Sequence, residues 1–145
     1  MLEKFTVAGY KNFKDPITID FSEVRDYKFN TECVNDGLIT KFIIYGKNAS
    51  GKSNLGYALF DIVGVLTDNR MPFAKPIDYF PHSLLNADSD MNDLIQFVYA
   101  FRFNRKHIEY GYAKGLTNLL VQEYLKIDDE TVYFYDYQKH QFTQN

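Results

Sequence analysis

The sequence predicts an α/β fold, in which a mixed sheet and one helix are joined to an antiparallel meander. Three patterns indicate it. A near-continuous apolar run over 39–45 is typical of a strand buried on both faces of a sheet. Apolar residues at helical spacing follow this run, and short alternating segments succeed one another over 94–142. The length of 145 residues fits one domain.

The composition places the chain among globular proteins and excludes several classes. Apolar residues make up 46% and aromatic residues 17%, which is too much for a disordered chain. The net charge of -3 disfavours a generally basic nucleic-acid binder. The single cysteine, Cys33, excludes a disulfide framework and a four-cysteine zinc site. We expect a cytoplasmic protein, because the chain has no membrane-length apolar run and no secretory signal.

The first part of the chain, 1–70, is predicted to hold a hairpin, the buried strand and the helix. Alternation over 3–21, interrupted by a turn at Gly9–Pro16, predicts the hairpin. The polar stretch 22–38, with a turn signal at Asn35-Asp36-Gly37, predicts a loop. The helix is predicted from apolar residues that share one face, namely Leu55, Leu59, Ile62 or Val63, and Leu66.

The second part is predicted to be a connection over 71–93, with a short helix near Ser83–Asn86, and then the meander over 94–142. Alternating strands separated by turns favour antiparallel pairing. Asp128–Glu130 is interpreted as a hairpin turn rather than a catalytic acid. Three exposed tyrosines on one face either pack within the protein or meet a partner: Tyr133, Tyr135 and Tyr137. The histidines show no ligand spacing and are interpreted as solvated or locally hydrogen-bonded: His82, His107 and His140.

Gly46–Ser53 matches the pattern G-x-x-x-x-G-K-S of a phosphate-binding loop. Gly46 and Gly51 allow backbone angles that other residues avoid, so successive N–H groups can form an anion-binding nest. The following helix adds the positive end of its dipole. Lys52 supplies a charge for the β- and γ-phosphates, and the Ser53 hydroxyl can bind Mg²⁺. The alternative is a glycine-containing strand–helix turn that binds no ligand.

The segment Tyr45–Leu55 resembles the G-x-N-x-S-G-K-S-N loop of ATP-binding-cassette (ABC)-type heads. These include the SMC, RecF and overcoming-lysogenization-defect (OLD) families, with their abortive-infection relatives. Residues 9–14, Gly-Tyr-Lys-Asn-Phe-Lys, resemble a second segment near the start of those proteins. The order of elements over 1–142 is also similar. The resemblance is closest to AAA-type ATP-binding proteins of phage defence and OLD-like systems. It implies a P-loop NTPase lobe of an ABC-type head, with the meander as a side sheet.

The resemblance implies that ATP and Mg²⁺ are the ligands. It implies a catalytic role for Lys52, a metal-binding role for Ser53, and a position beside the γ-phosphate for Asn48. It also places Lys11 and Asn12 near the nucleotide, although a polar turn would use the same residue types. The nucleotide-binding residues that it implies are Gly46, Lys47, Asn48, Ala49, Ser50, Gly51, Lys52, Ser53, Asn54, Lys11 and Asn12.

Parts of the family pattern are absent from the sequence: a strand that ends in Asp-Glu, a signature helix and a late histidine. Three residues are candidates for the glutamine that contacts Mg²⁺ in such heads, and nothing local selects among Gln96, Gln141 and Gln144. We therefore expect an N-terminal lobe, 1–145, of a longer ATPase that acts as a head-to-head homodimer in phage defence or DNA maintenance. The chain alone is expected to bind nucleotide and hydrolyse it poorly.

Two alternatives and one further partner remain open at this point. A small P-loop phosphotransferase is disfavoured by the meander and the few arginines of the second half. A non-catalytic binding module would use the meander as its working surface. The resemblance allows DNA binding, but this chain has no basic stretch that would carry it.

Overall fold

The computed structural model describes residues 1–26, 28–67 and 84–144. Strand makes up 43% of the described residues and helix 15%. A single-turn 3₁₀ helix, Thr31–Cys33, precedes the third strand. The main elements in chain order are β1 (Leu2–Ala8), β2 (Ile17–Asp20), β3 (Val34–Asn35), β4 (Leu38–Ile39), α1 (Lys52–Thr67), β5 (Ile95–Phe103), β6 (Lys106–Lys114), β7 (Leu120–Ile127), β8 (Glu130–Asp136) and β9 (Gln141–Gln144).

Seven of these strands form one antiparallel sheet, and this corrects the predicted fold class. The strand order is β2-β1-β5-β6-β7-β8-β9, and every neighbouring pair is antiparallel. The α/β class was wrong, and so was the P-loop NTPase lobe with a mixed sheet, because the described residues contain no parallel strand pair. The meander is not a separate side sheet either, since β5 pairs directly with β1.

The buried strand predicted over 39–45 does not form. Of this run only Ile39 lies in a strand, at the end of the short β4, and the chain from 40 to 46 has no regular structure until the bends that follow. Ile43 and Tyr45 are 88% and 92% exposed. No described strand pairs with residues 40–45, so this backbone joins no sheet, and the contact of the Phe42 ring with Phe21 replaces burial between two layers.

The other local predictions have mixed outcomes. The β1–β2 hairpin, the helix and the strands β5 to β8 are confirmed. The predicted loop over 22–38 contains the small β3–β4 hairpin around Asp36-Gly37, and β9 was not predicted. The short helix predicted near Ser83–Asn86 lies partly outside the described residues, and residues 84–86 are not helical.

No helix in the described ranges combines the length and hydropathy that a bilayer crossing requires.

The core lies between α1 and one face of the sheet. Alternation along antiparallel strands places Phe5, Phe97 and Tyr99 on the same face, where each is almost fully buried. Ala58 of α1 is also buried there, and its carbonyl accepts a hydrogen bond of 2.8 Å from the Tyr99 hydroxyl. The helix contributes an apolar stripe that packs on this face: Leu55, Leu59, Ile62 and Val65.

A buried ion pair joins α1 to the sheet. Lys114, at the end of β6, is only 7% exposed, and its ammonium lies 2.6 Å from Oδ2 of Asp61 in α1. The Tyr112 hydroxyl donates a hydrogen bond of 2.8 Å to the same oxygen. A buried charge is costly unless it is paired, so these three groups are stable only when α1 lies over β6.

We expect Asp61→Ala to lower the free energy of unfolding by about 3 kcal/mol, because it leaves the Lys114 ammonium buried without a counter-charge. Chemical denaturation measures this. The double variant Asp61→Ala/Lys114→Met should recover most of the loss. As a control, Lys4→Ala removes the pair with Asp20, in which Lys4 is 50% exposed, and should cost less than about 1 kcal/mol. Equal losses in Asp61→Ala and Lys4→Ala would contradict the interpretation.

We also expect the protein to lose stability as the pH rises above about 10. Burial raises the pKa of Tyr10, Tyr99 and Tyr112, and burial with the nearby Glu123 carboxylate raises the pKa of Tyr137 to about 12. The unfolded chain therefore releases phenolic protons from about pH 10 upward, while the folded chain retains them.

Denaturation midpoints measured from about pH 9 to about pH 12 test this alkaline sensitivity. The free energy of unfolding should fall across the upper part of that range. The free energy of unfolding of Tyr137→Phe should fall less steeply with pH than that of the wild type, because this variant lacks one phenol with a raised pKa. A stability that stays flat above about pH 10 would contradict the expectation.

Candidate functional site

The glycine loop, Gly46–Ser53, leads from the exposed segment 40–45 into α1. Ala49 and Gly51 both have left-handed backbone angles, with φ of 63° and 92°. The Leu55 N–H donates a hydrogen bond of 2.9 Å to the Gly51 carbonyl, so the helical pattern begins directly after the loop. The last residues of the loop therefore form the first turn of α1.

The start of α1 presents a row of backbone N–H groups without partners among the described residues. Between Gly46 and Leu55, only the N–H groups of Ser50 and Leu55 donate hydrogen bonds within the described chain, and that of Ser50 is long, at 3.4 Å to the Lys47 carbonyl. A helix cannot satisfy its own first N–H groups. The donors left free for an anion are those of Gly51, Lys52, Ser53 and Asn54.

Lys52 carries one of the two positive charges of the glycine loop, and Lys47 carries the other. The Lys52 ammonium donates hydrogen bonds to the carbonyls of Gly46 and Lys47, at 2.8 and 2.7 Å. It forms no ion pair with a carboxylate of the described residues. The charge therefore stays uncompensated within this part of the chain, and a phosphate could replace the two carbonyls as its acceptor.

The turn of the β1–β2 hairpin lies against the glycine loop. The Asn54 amide donates a hydrogen bond of 2.7 Å to Oδ1 of Asn12. The Asn12 amide fills the space that a side chain at Gly51 would need. The Lys11 ammonium lies 5.6 Å from the ring centroid of Tyr57, one turn further along α1. The structure thus places Asn12 against the loop and Lys11 against the first half of α1.

Asn86 holds this turn in place, and the sequence did not single it out. Its buried amide donates to the Lys11 carbonyl, and its backbone N–H donates to the Gly9 carbonyl at 2.8 Å. The Lys11 N–H in turn donates to the Leu84 carbonyl at 2.7 Å. Asn86 lies in a stretch rich in Asn and Asp, so no local pattern distinguishes it from its neighbours.

Several other candidates lie away from the glycine loop or take no part in a site. Gln96 lies on β5 and Gln141 and Gln144 on the edge strand β9. Asp128 and Asp129 form the β7–β8 turn with φ of 50° and 68°, which confirms the turn interpretation. The described residues contain no group of His, Cys, Asp and Glu that could hold a metal ion.

The histidines have varied positions. His107 Nδ1 lies 3.0 Å from Oε2 of Glu3, on the sheet face opposite α1. His140 is exposed in the turn before β9, and His82 lies outside the described residues. None of the described histidines contacts the glycine loop, which agrees with the interpretation that they are solvated or locally hydrogen-bonded.

The chain matches no known family model and no curated protein sequence. The link to ABC-type heads therefore stays a hypothesis that depends on the residues of the glycine loop and of segment 9–14. The geometry adds free N–H donors and an uncompensated ammonium at one helix terminus. These groups suit a phosphate-bearing ligand.

We expect Gly51→Ala to lower the free energy of unfolding by about 1–2 kcal/mol, because φ of 92° is strained for alanine and the new methyl group would displace the Asn12 amide. The matched control is Gly56→Ala in the same helix, where the space is open and φ is ordinary. The free energy of unfolding of Gly56→Ala should rise by about 0.5–1 kcal/mol. Thermal or urea denaturation measures both, and effects of the same sign would contradict the described geometry.

Proposed function

We propose that this chain binds ATP, together with Mg²⁺, through the glycine loop. The observation that carries the proposal is the row of free N–H groups at the start of α1, next to the Lys52 ammonium. Backbone N–H groups converging at a helix N-terminus recognise phosphate oxygens, and the helix dipole adds to that attraction. The loop sequence supports a triphosphate in particular, because the lysine follows the second glycine at the spacing that reaches the β- and γ-phosphates.

The residues of the loop divide the binding task. The N–H groups of Gly51 to Asn54 would contact phosphate oxygens, and the Lys52 ammonium would exchange its carbonyl acceptors for them. The exposed Ser53 hydroxyl would bind Mg²⁺, which prefers oxygen ligands and neutralises phosphate charge when bound. Asn12 and Lys11 would lie at the side of the bound nucleotide, because the hairpin turn already contacts the loop.

Hydrolysis is expected to need more than this chain. Phosphoryl transfer depends on positioning and charge stabilisation, including a group that orients the attacking water. The described residues offer no metal-binding cluster that would assist Ser53. The resemblance of the loop to ABC-type heads supports an ATPase of bacterial defence or DNA maintenance. We extend the proposal to a head-to-head homodimer, in which turnover would occur.

We expect Lys52→Met to weaken ATP binding by at least about tenfold, because it removes the charge and keeps the aliphatic stem. Calorimetry with Mg²⁺ and a non-hydrolysable ATP analogue measures the affinity. Lys41→Met is the matched control: it removes the same charge from the exposed segment that leads into the loop, at a residue outside the implied nucleotide-binding set. Its affinity should change by less than about threefold.

A second variant separates the metal from the phosphates. Ser53→Ala should abolish the gain in affinity that Mg²⁺ provides and leave binding without Mg²⁺ nearly unchanged. No binding of the analogue by the wild type would refute the proposal outright. Turnover with transfer of phosphate to a small acceptor would favour a phosphotransferase instead.

A further inference from the structure

The face of the sheet that packs on α1 extends beyond the helix. Tyr112 pairs with Glu123, and Glu123 pairs with Tyr135, so these side chains lie on one face. The polar contacts of α1 reach β5 and β6 through Tyr99, Tyr112 and Lys114. Beyond them, β7, β8 and β9 present a surface that we call the aromatic patch, formed by Tyr133, Tyr135, Tyr137 and Phe142 around Glu123.

Glu123 lies at the centre of the aromatic patch and is held by two phenols. The Tyr110 hydroxyl donates to Oε2 at 2.6 Å, and the Tyr137 hydroxyl donates to Oε1 at 2.8 Å. No lysine, arginine or histidine of residues 1–26, 28–67 and 84–144 forms an ion pair with this carboxylate. The orientation of the negative charge is therefore defined, and the charge is not compensated within the described chain.

The rings around this carboxylate are arranged in advance of any ligand. Tyr135 and Tyr137 meet edge to face, with centroids 4.5 Å apart. The centroid of the Phe142 ring lies 6.3 Å from those of both Tyr133 and Tyr135, and Phe142 is 58% exposed. Tyr137 is 36% exposed. Packed rings lose little conformational freedom on binding, so such a surface suits recognition.

The pKa values of the surrounding tyrosines are raised by burial and by the charge of Glu123. Burial raises the pKa of Tyr137 to about 12, with further contributions from its hydrogen bond to Glu123 and from that carboxylate's charge. Burial and the same carboxylate also raise the pKa of Tyr110 and Tyr133. Because the Glu123 carboxylate has no ion-pair partner among the described residues, the surface is negative as well as aromatic, and it would repel a phosphate backbone.

We propose that the aromatic patch binds an arginine side chain of a protein partner, whose guanidinium pairs with Glu123 and stacks on the neighbouring rings. A purely apolar partner would cover the Glu123 charge without compensating it, which is unfavourable. Arginine fits better than lysine because its planar guanidinium pairs with carboxylates in a bidentate manner and stacks on aromatic faces. This surface is independent of the glycine loop and of any bound nucleotide.

The test uses three capped tripeptides with arginine, lysine or citrulline between two glycines. They are titrated into the ¹⁵N-labelled chain, and amide chemical shifts report both affinity and location. The arginine peptide should shift the amides of β7 to β9 saturably, and the other two should bind at least about fivefold more weakly. Glu123→Gln should weaken the arginine peptide about tenfold or more. The control is Glu130→Gln, which removes the same charge from the exposed start of β8 and should change nothing.

The titration can overturn the proposal in several ways. The proposal would be overturned if the arginine peptide bound Glu123→Gln and Glu130→Gln with equal affinity. It would also be overturned if the lysine peptide bound the wild type as tightly as the arginine peptide, or if the chemical-shift changes were confined to the β7–β8 turn. If Glu123→Gln does not fold, Phe142→Ala on the edge strand replaces it, since that ring is exposed. Loss of its stacking should weaken the arginine peptide about two- to fivefold, and an unchanged affinity would count against the proposal.

Discussion

The position of α1 on the sheet depends on one buried contact, in which Lys114 and Tyr112 meet the carboxylate of Asp61. Apolar packing alone would let a helix slide along an aromatic face, because that attraction is non-directional. An ion pair that is costly to break restricts the helix to one place. Since α1 begins at the glycine loop, the same contact determines where the loop lies relative to the hairpin turn.

The candidate site is assembled from segments that are distant in the sequence. The β1–β2 turn contributes Asn12, and the loop contributes Gly51 and Asn54. They meet because β1 lies beside β5 in the sheet beneath α1, while Asn86 ties the turn to the chain that precedes β5. The absence of a side chain at Gly51 permits this approach, so one residue serves both the left-handed backbone and the packing against the turn.

One continuous sheet face therefore supports two different surfaces. Where α1 covers it, the aromatic residues form the core. Beyond the part of the sheet that α1 covers, tyrosines of β8 and the ring of Phe142 surround Glu123. The alternation that builds the core also builds this surface, because side chains on paired antiparallel strands fall on a common face. A triphosphate-binding loop and an arginine-binding patch would then lie on separate parts of the same sheet-and-helix unit.

Local patterns of residues were enough to predict the features that short-range physics specifies: the β1–β2 hairpin, the helix after Gly51, the strands β5 to β8, and a loop whose glycines and lysine suit phosphate. They did not determine the partner of each strand. The apolar run 39–45 predicted a buried strand, yet a strand needs a neighbour to accept its hydrogen bonds, and only β4 at its start has one. Asp61, Lys114 and Asn86 likewise gave no local signal. Their roles follow from contacts between segments that are distant in the sequence and meet only in the folded chain.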